Sequence, residues 1–170
     1  MEQEHLKSGE EPVEEASPSD FIRAARASLR SGRRKDAYST LLEAAAFYPD
    51  HPIILSYRGW LQAAVERRHQ SGIASCRKAF LNFRTDDADE AAAVYPVLYL
   101  NLGRAFLLAG RKKDAIESFA KGLRFDRGHS ELAREIKSLG TRRQPVVSFL
   151  SRSNPLNKYL GVLTRHKGKS

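Results

Sequence analysis

Apolar and polar positions along the chain follow a helical period over most of its length. Phe21, Ala24, Ala25 and Ser28 recur at helical spacing, and a break at Ser31 and Gly32 ends the run. "SPSD" marks its start: Ser17 can cap, Pro18 suits the first helical position, and Asp20 stands three residues after Ser17. Ala37, Leu41, Ala44 and Ala45 make the stripe of a second helix, which "YPDHP" ends. A third helix, from Pro52 to about Arg68, carries Leu55, Gly59 and Ala63; a fourth, "SGIASCRKAFLNF", carries Ile73, Cys76, Ala79 and Phe80. "TDDADEAAAVY" opens a fifth with its acids in the first turn, where the helix dipole favours them. Pro96 is expected to kink or restart it, because Tyr95 is then disfavoured in the α region. Helices flank Gly110, and "SELAREIKSLG" forms the last before Gly140. No segment alternates long enough for a strand; "PVVSFL" (145–150) reads as an extended tail. The pattern predicts about seven helices between residues 18 and 140, an all-α chain of antiparallel pairs with short connections.

The pairs repeat. "NLGRAFLLAGRKKDAIESF" laid over "RAARASLRSGRRKDAYSTL" puts Gly110 on Gly32, Ala115 on Ala37, Phe119 on Leu41, Gly122 on Ala44 and Gly103 on Ala25. A glycine within a helix costs on the order of 1 kcal/mol relative to alanine. At Gly103 the absent side chain is expected to let a partner helix approach closely, so that Gly103→Leu overpacks the contact. Gly110 ends a helix instead. A small-residue register recurring in this way is the mark of a helical-hairpin repeat.

This pattern resembles the tetratricopeptide repeat family. Residues 96–129 carry it best: Tyr99 takes the large aromatic position, Leu102 and Gly103 the Leu-Gly pair, and Phe106 the next aromatic, followed by Ala115, Phe119 and Gly122, with Arg127 where proline is expected. Residues 18–51 match through Ala37, Ala44 and Pro49, with Ala24 and Ala25 replacing Leu-Gly. The middle unit, 52–95, is irregular: Gly59 fits, but placing Gly72 and Ala79 at the two small sites takes one extra residue between the helices. The resemblance implies a right-handed superhelix of three repeats with residues 130–140 as a capping helix. Residues 1–17 read as a disordered acidic arm, and 141–170 as a basic tail. In the tail Asn154 and Pro155 start a short amphipathic element with Leu156, Tyr159, Leu160 and Leu163 on one face, expected to dock on the last repeat pair. The tail is similar to the ends of uncharacterised bacterial proteins with these repeats, which implies a bacterial, cytoplasmic chain.

Composition narrows the function classes. The net charge of +9 divides unevenly: residues 1–20 hold seven acids against Lys7, leaving 28 basic and 13 acidic residues for the remainder. An acidic arm on a basic body can compete for the site of an acidic ligand. The single cysteine, Cys76, excludes an intramolecular disulfide and points to a reducing compartment. The acidic N-terminus has no apolar run of the kind a signal peptide has, and no window approaches a membrane span in length. The histidines are scattered, no HExxH, CxxC, Walker loop or GxSxG occurs, and "DDADE" (86–90) lacks the glycine of a calcium loop. Neither an enzyme nor a bound cofactor or metal is expected.

In the resembling family, peptide ligands lie on the concave surface lined by the first helix of each unit. The register carried across places Ile22, Arg23, Arg26 and Arg30 there from the first unit, Ser56, Trp60 and Ala63 from the second, and Leu100, Asn101, Arg104 and Leu108 from the third. Asn101 holds a position like one in the family's carboxylate clamp, but Arg26 and Trp60 stand where asparagines are expected, so the clamp is not reproduced. Arg26, Trp60 and Arg104 are expected to share one face. The resulting expectation is a non-catalytic adaptor that binds an acidic or apolar peptide segment of another protein. The alternatives are a basic helical repeat for nucleic acid, against which the spread of basic residues over many faces argues, and a small chaperone for secreted or assembly substrates.

Overall fold

The structure, a computed structural model, describes residues 16–140, and among these it contains seven helices and no strand. They are α1 (Pro18–Arg30), α2 (Arg34–Phe47), α3 (Pro52–Val65), α4 (His69–Leu81), α5 (Ala88–Leu108), α6 (Lys112–Phe125) and α7 (Ser130–Ser138). The acidic arm up to residue 15 and the basic tail from 141 lie outside the described residues. By compactness the chain divides after Ala133; the described part of the second unit, residues 134–140, carries α7 to its end and turns at Gly140, φ 66°.

Local chemistry sets the helix starts. Ser17 and Asp20 close a capping box, with the Ser17 N–H donating to the Asp20 carboxylate at 3.1 Å, and Pro18 follows at the first helical position. Asp87 caps α5 by accepting from the Glu90 N–H at 2.8 Å. His51 caps α3 through Nδ1, ahead of Pro52.

Three hairpins result: α1 packs on α2, α3 on α4 and α5 on α6. The first helices also touch in sequence, α1 with α3 and α3 with α5, while α2 reaches α3 and α4 reaches α5. Small and aliphatic side chains fill the seams. Ala25, Ala37, Leu41, Ile54, Leu61, Cys76, Ala79, Leu98, Ala105, Ala115 and Phe119 are wholly buried or nearly so.

The turns within the hairpins are alike. In the first unit Gly32 has φ 73°, its N–H returns to the Leu29 carbonyl at 3.0 Å, and the Arg33 N–H returns to Ser28 at 2.9 Å. Gly110, at φ 75°, repeats this with Leu107 at 3.0 Å, and the Arg111 N–H meets Phe106 at 2.8 Å. Both are Schellman closures, which need the left-handed residue that glycine supplies without strain.

The middle unit keeps the same turn length but places Arg67 at the left-handed position, φ 59°. The extra residue expected between α3 and α4 is therefore inside α3, whose last turn runs one residue further past Gly59 than α5 runs past Gly103. A side chain held left-handed costs roughly 1 kcal/mol. Arg67→Gly is expected to raise the urea midpoint by the equivalent of about 0.5 kcal/mol, the unfolded glycine's extra entropy cancelling part of the gain. A lowered midpoint would contradict this reading of the turn.

Pro96 does not restart a helix. α5 runs unbroken for 21 residues with Pro96 buried inside it, so the third hairpin begins at Ala88 rather than at 96. The ring removes the N–H that would have bonded the Ala92 carbonyl, and tertiary packing outweighs that loss. The added turns bring Tyr95 to 4.5 Å from Phe125, 5.1 Å from Phe83 and 6.3 Å from Phe80, centroid to centroid, while Tyr99 lies 4.7 Å from Phe80. This aromatic cluster joins α4, α5 and α6. α5 is also long and apolar enough to cross a membrane, which corrects the expectation that no window approaches that length. It is nonetheless a core helix, packed against α3, α4 and α6.

Candidate functional site

The first helices of successive units bring together a group of aromatic and charged side chains. Trp60 and Tyr57 lie one turn apart on α3, the spacing that puts two side chains on one face, with centroids 6.4 Å apart. From α5 the Arg104 guanidinium lies over the Trp60 ring, 4.6 Å from its centroid, a cation–π arrangement. That guanidinium also meets the Glu131 carboxylate from the first turn of α7, Nη2 to Oε2, at 3.0 Å. Burial lifts the Tyr57 phenol above its ordinary pKa, and Arg26 of α1, Glu131 and Arg104 are the charges close enough to act on it. The two arginines oppose the rise and Glu131 adds to it.

The remaining predicted positions divide. Arg23, Arg26 and Arg30 are exposed on α1 and Ile22 is half-buried; Arg23 is paired with Asp20. Leu108 is exposed at the end of α5. Ser56, Leu100 and Asn101 are corrections: the structure buries all three between helices, so they line no surface, and Ala63 is buried as well. Asn101 is a core amide whose Nδ2 donates to Ser56 Oγ at 3.0 Å, tying α5 to α3. Its Oδ1 is buried and has no hydrogen-bond partner. Trp60, expected on the concave surface, is only 9% exposed, with the Arg104 guanidinium over its ring.

Sequence reasoning missed Glu131, and also Tyr57, which is 4% exposed and supports the group from beneath. The three-residue spacing from Trp60 was the available signal for Tyr57. Glu131 carried none, since an acid in a first helical turn is explained by the dipole alone.

Cys76 is fully buried and its thiol is pushed up to about 12, far from a nucleophile at neutral pH. Among the described residues no group of three or more His, Cys, Asp and Glu side chains could hold a metal ion.

No protein-family model and no curated protein sequence matches the chain. Solved structures do. The chain is similar to the tetratricopeptide domain of Arabidopsis OM64, at 18% identity and TM-score 0.51, over 73% of this chain and 94% of that one. It also matches the first tetratricopeptide domain of Spaghetti (RPAP3) bound to an HSP90 peptide, at 13% identity and TM-score 0.49, over 70% and 86% of the two chains. The second such domain of human RPAP3, in complex with an HSP70 peptide, matches at 14% identity and TM-score 0.48, over 70% and 91%. The fold is that of a tetratricopeptide repeat domain.

Proposed function

We propose that the protein is a non-catalytic adaptor that binds a peptide segment of another protein across the first-helix face, in a reducing, cytoplasmic compartment. One observation carries the reading: Arg26 and Arg104, from the first helices of the first and third units, both lie close enough to act on Tyr57 of the second, and Arg104 covers its neighbour Trp60, the two rings being themselves nearly buried. Arginines are among the side chains that dominate binding energy at interfaces. Guanidinium groups select carboxylates and aromatic faces over other partners, so the segment preferred here is acidic with apolar side chains between the acids.

Affinity capture with the full chain and nuclease present tests this. Trp60→Ala removes a buried ring and risks the fold. Arg26→Glu changes an exposed residue and is expected to leave the melting temperature unchanged while reducing partner recovery at least tenfold. Equal recovery with Arg26→Glu would remove this face from consideration. Recovery that depends on nucleic acid and falls steeply with salt would favour the nucleic-acid reading instead.

A further inference from the structure

The ion pair that covers Trp60 suggests how the face works before a ligand arrives. Arg104 and Glu131 form a contact of 3.0 Å with side chains 18% and 36% exposed. That carboxylate comes from outside the three hairpins, at the second position of α7. It lies against a guanidinium that covers an indole, a setting that suits a carboxylate of any origin, with Arg26 and the buried Tyr57 close enough to share its field. The residue after Glu131 is held without this contact. Leu132 is fully buried, with the glycine notch at Gly122 facing its side chain, and the Leu132 N–H donates to His129 Nδ1 at 3.4 Å. The Glu131 side chain can therefore leave Arg104 by rotating about its own bonds, with Leu132 still seated.

We infer that Glu131 is a resident carboxylate on Arg104, a stand-in for the ligand, and that an acidic-aromatic peptide binds by replacing it. This rests on the peptide-binding reading of the face and adds its regulation. A partly solvated ion pair holds its partner weakly enough for a competing carboxylate to exchange with it. A peptide supplies its acid together with flanking side chains that reach beyond the place Glu131 fills. The exchange leaves the number of carboxylates on Arg104 unchanged, so the acid fixes register and the flanking apolar side chains supply the affinity. Glu131 then sets a threshold against free small carboxylates, which bring nothing beyond what is already bound.

The test uses the full chain, isotope-labelled, and a short fluorescein-labelled peptide of alternating glutamate and phenylalanine. Trp60 is the only tryptophan, so its indole N–H signal reports on the site without ambiguity. Glu131→Gln is expected to bind the peptide about two- to fivefold more tightly than wild type. Glu131→Asp keeps the charge that favours the start of α7 but is one methylene short of Arg104, and is expected to behave the same way. Arg104→Gln should lose at least tenfold. The same peptide with glutamine for glutamate should bind all forms alike and weakly. If the indole signal moves on titration but Glu131→Gln and Glu131→Asp match wild type, the resident-carboxylate inference is overturned and the face stands. If the indole signal moves in no form, both fall.

Discussion

Gly72→Ala is expected to destabilise the protein by about 3 kcal/mol, although alanine is the better helix former by about 1 kcal/mol. The reason is backbone against backbone. A Cβ on Gly72 would stand 2.4 Å from the Gly59 carbonyl oxygen and 2.9 Å from the Ala63 methyl; a Cβ on Gly59 would stand 2.6 Å from the Gly72 carbonyl oxygen and 2.8 Å from the Cys76 nitrogen. The Cys76 sulfur, 2.8 Å from a Cβ on Gly59, could turn aside, but the backbone atoms on both sides cannot. α3 and α4 would have to separate along their length, and α3 is also the helix that touches α1, α2 and α5. The strain therefore reaches every interface of the middle unit. Urea unfolding should show a lowered midpoint with an unchanged slope, the sign that stability and not the denatured state has changed. Gly59→Ala should behave alike. The double variant should cost less than the sum of the two, because one separation of the helices relieves both contacts. Wild-type stability in Gly72→Ala would mean that α3 and α4 do not meet at these glycines.

That close approach shows what the sequence could and could not tell. Ser17, Pro18 and Asp20 announced the first helix because capping is local chemistry, complete within four residues. The recurrence of Gly32 and Gly110 located two turns for the same reason. Arg67 concealed the third, since nothing local marks a residue that the fold forces to positive φ. With that turn unseen, the extra residue of α3 was assigned to the connection. Pro96 misled in the opposite direction: its local preference is real, but Tyr95 gains Phe125, Phe83 and Phe80 as neighbours only if the helix continues. At the candidate site, register alone brought Trp60 and Arg104 to one place. Register could not separate Ser56 and Asn101, which point into the α3–α5 seam and bond each other, from positions facing outward. Nor could it supply Glu131, whose partner is 27 residues earlier in the chain.

Gly103→Ala is expected to cost about 2 kcal/mol, and Gly103→Leu more. Here the obstacle is a side chain: a Cβ on Gly103 would stand 2.2 Å from Cε1 and 2.6 Å from Cδ1 of the Phe119 ring. Phe119 is fully buried, the largest side chain with that degree of burial among the described residues, so the ring has little room to move. The clash is nonetheless removable in a way the Gly59–Gly72 contact is not. Phe119→Leu shortens the intruding side chain and leaves space for a methyl group. Alone it should destabilise by about 1–2 kcal/mol through lost burial and a residual cavity. Combined with Gly103→Ala, the added methyl fills part of that cavity and the alanine restores helix propensity. The pair is then expected to be more stable than Gly103→Ala alone, with a coupling of about 1–2 kcal/mol in the double-mutant cycle. Denaturant midpoints of the four proteins give that coupling directly. Strict additivity would show that Gly103 and Phe119 do not meet, and that the third hairpin is not closed by a ring lying against a bare backbone.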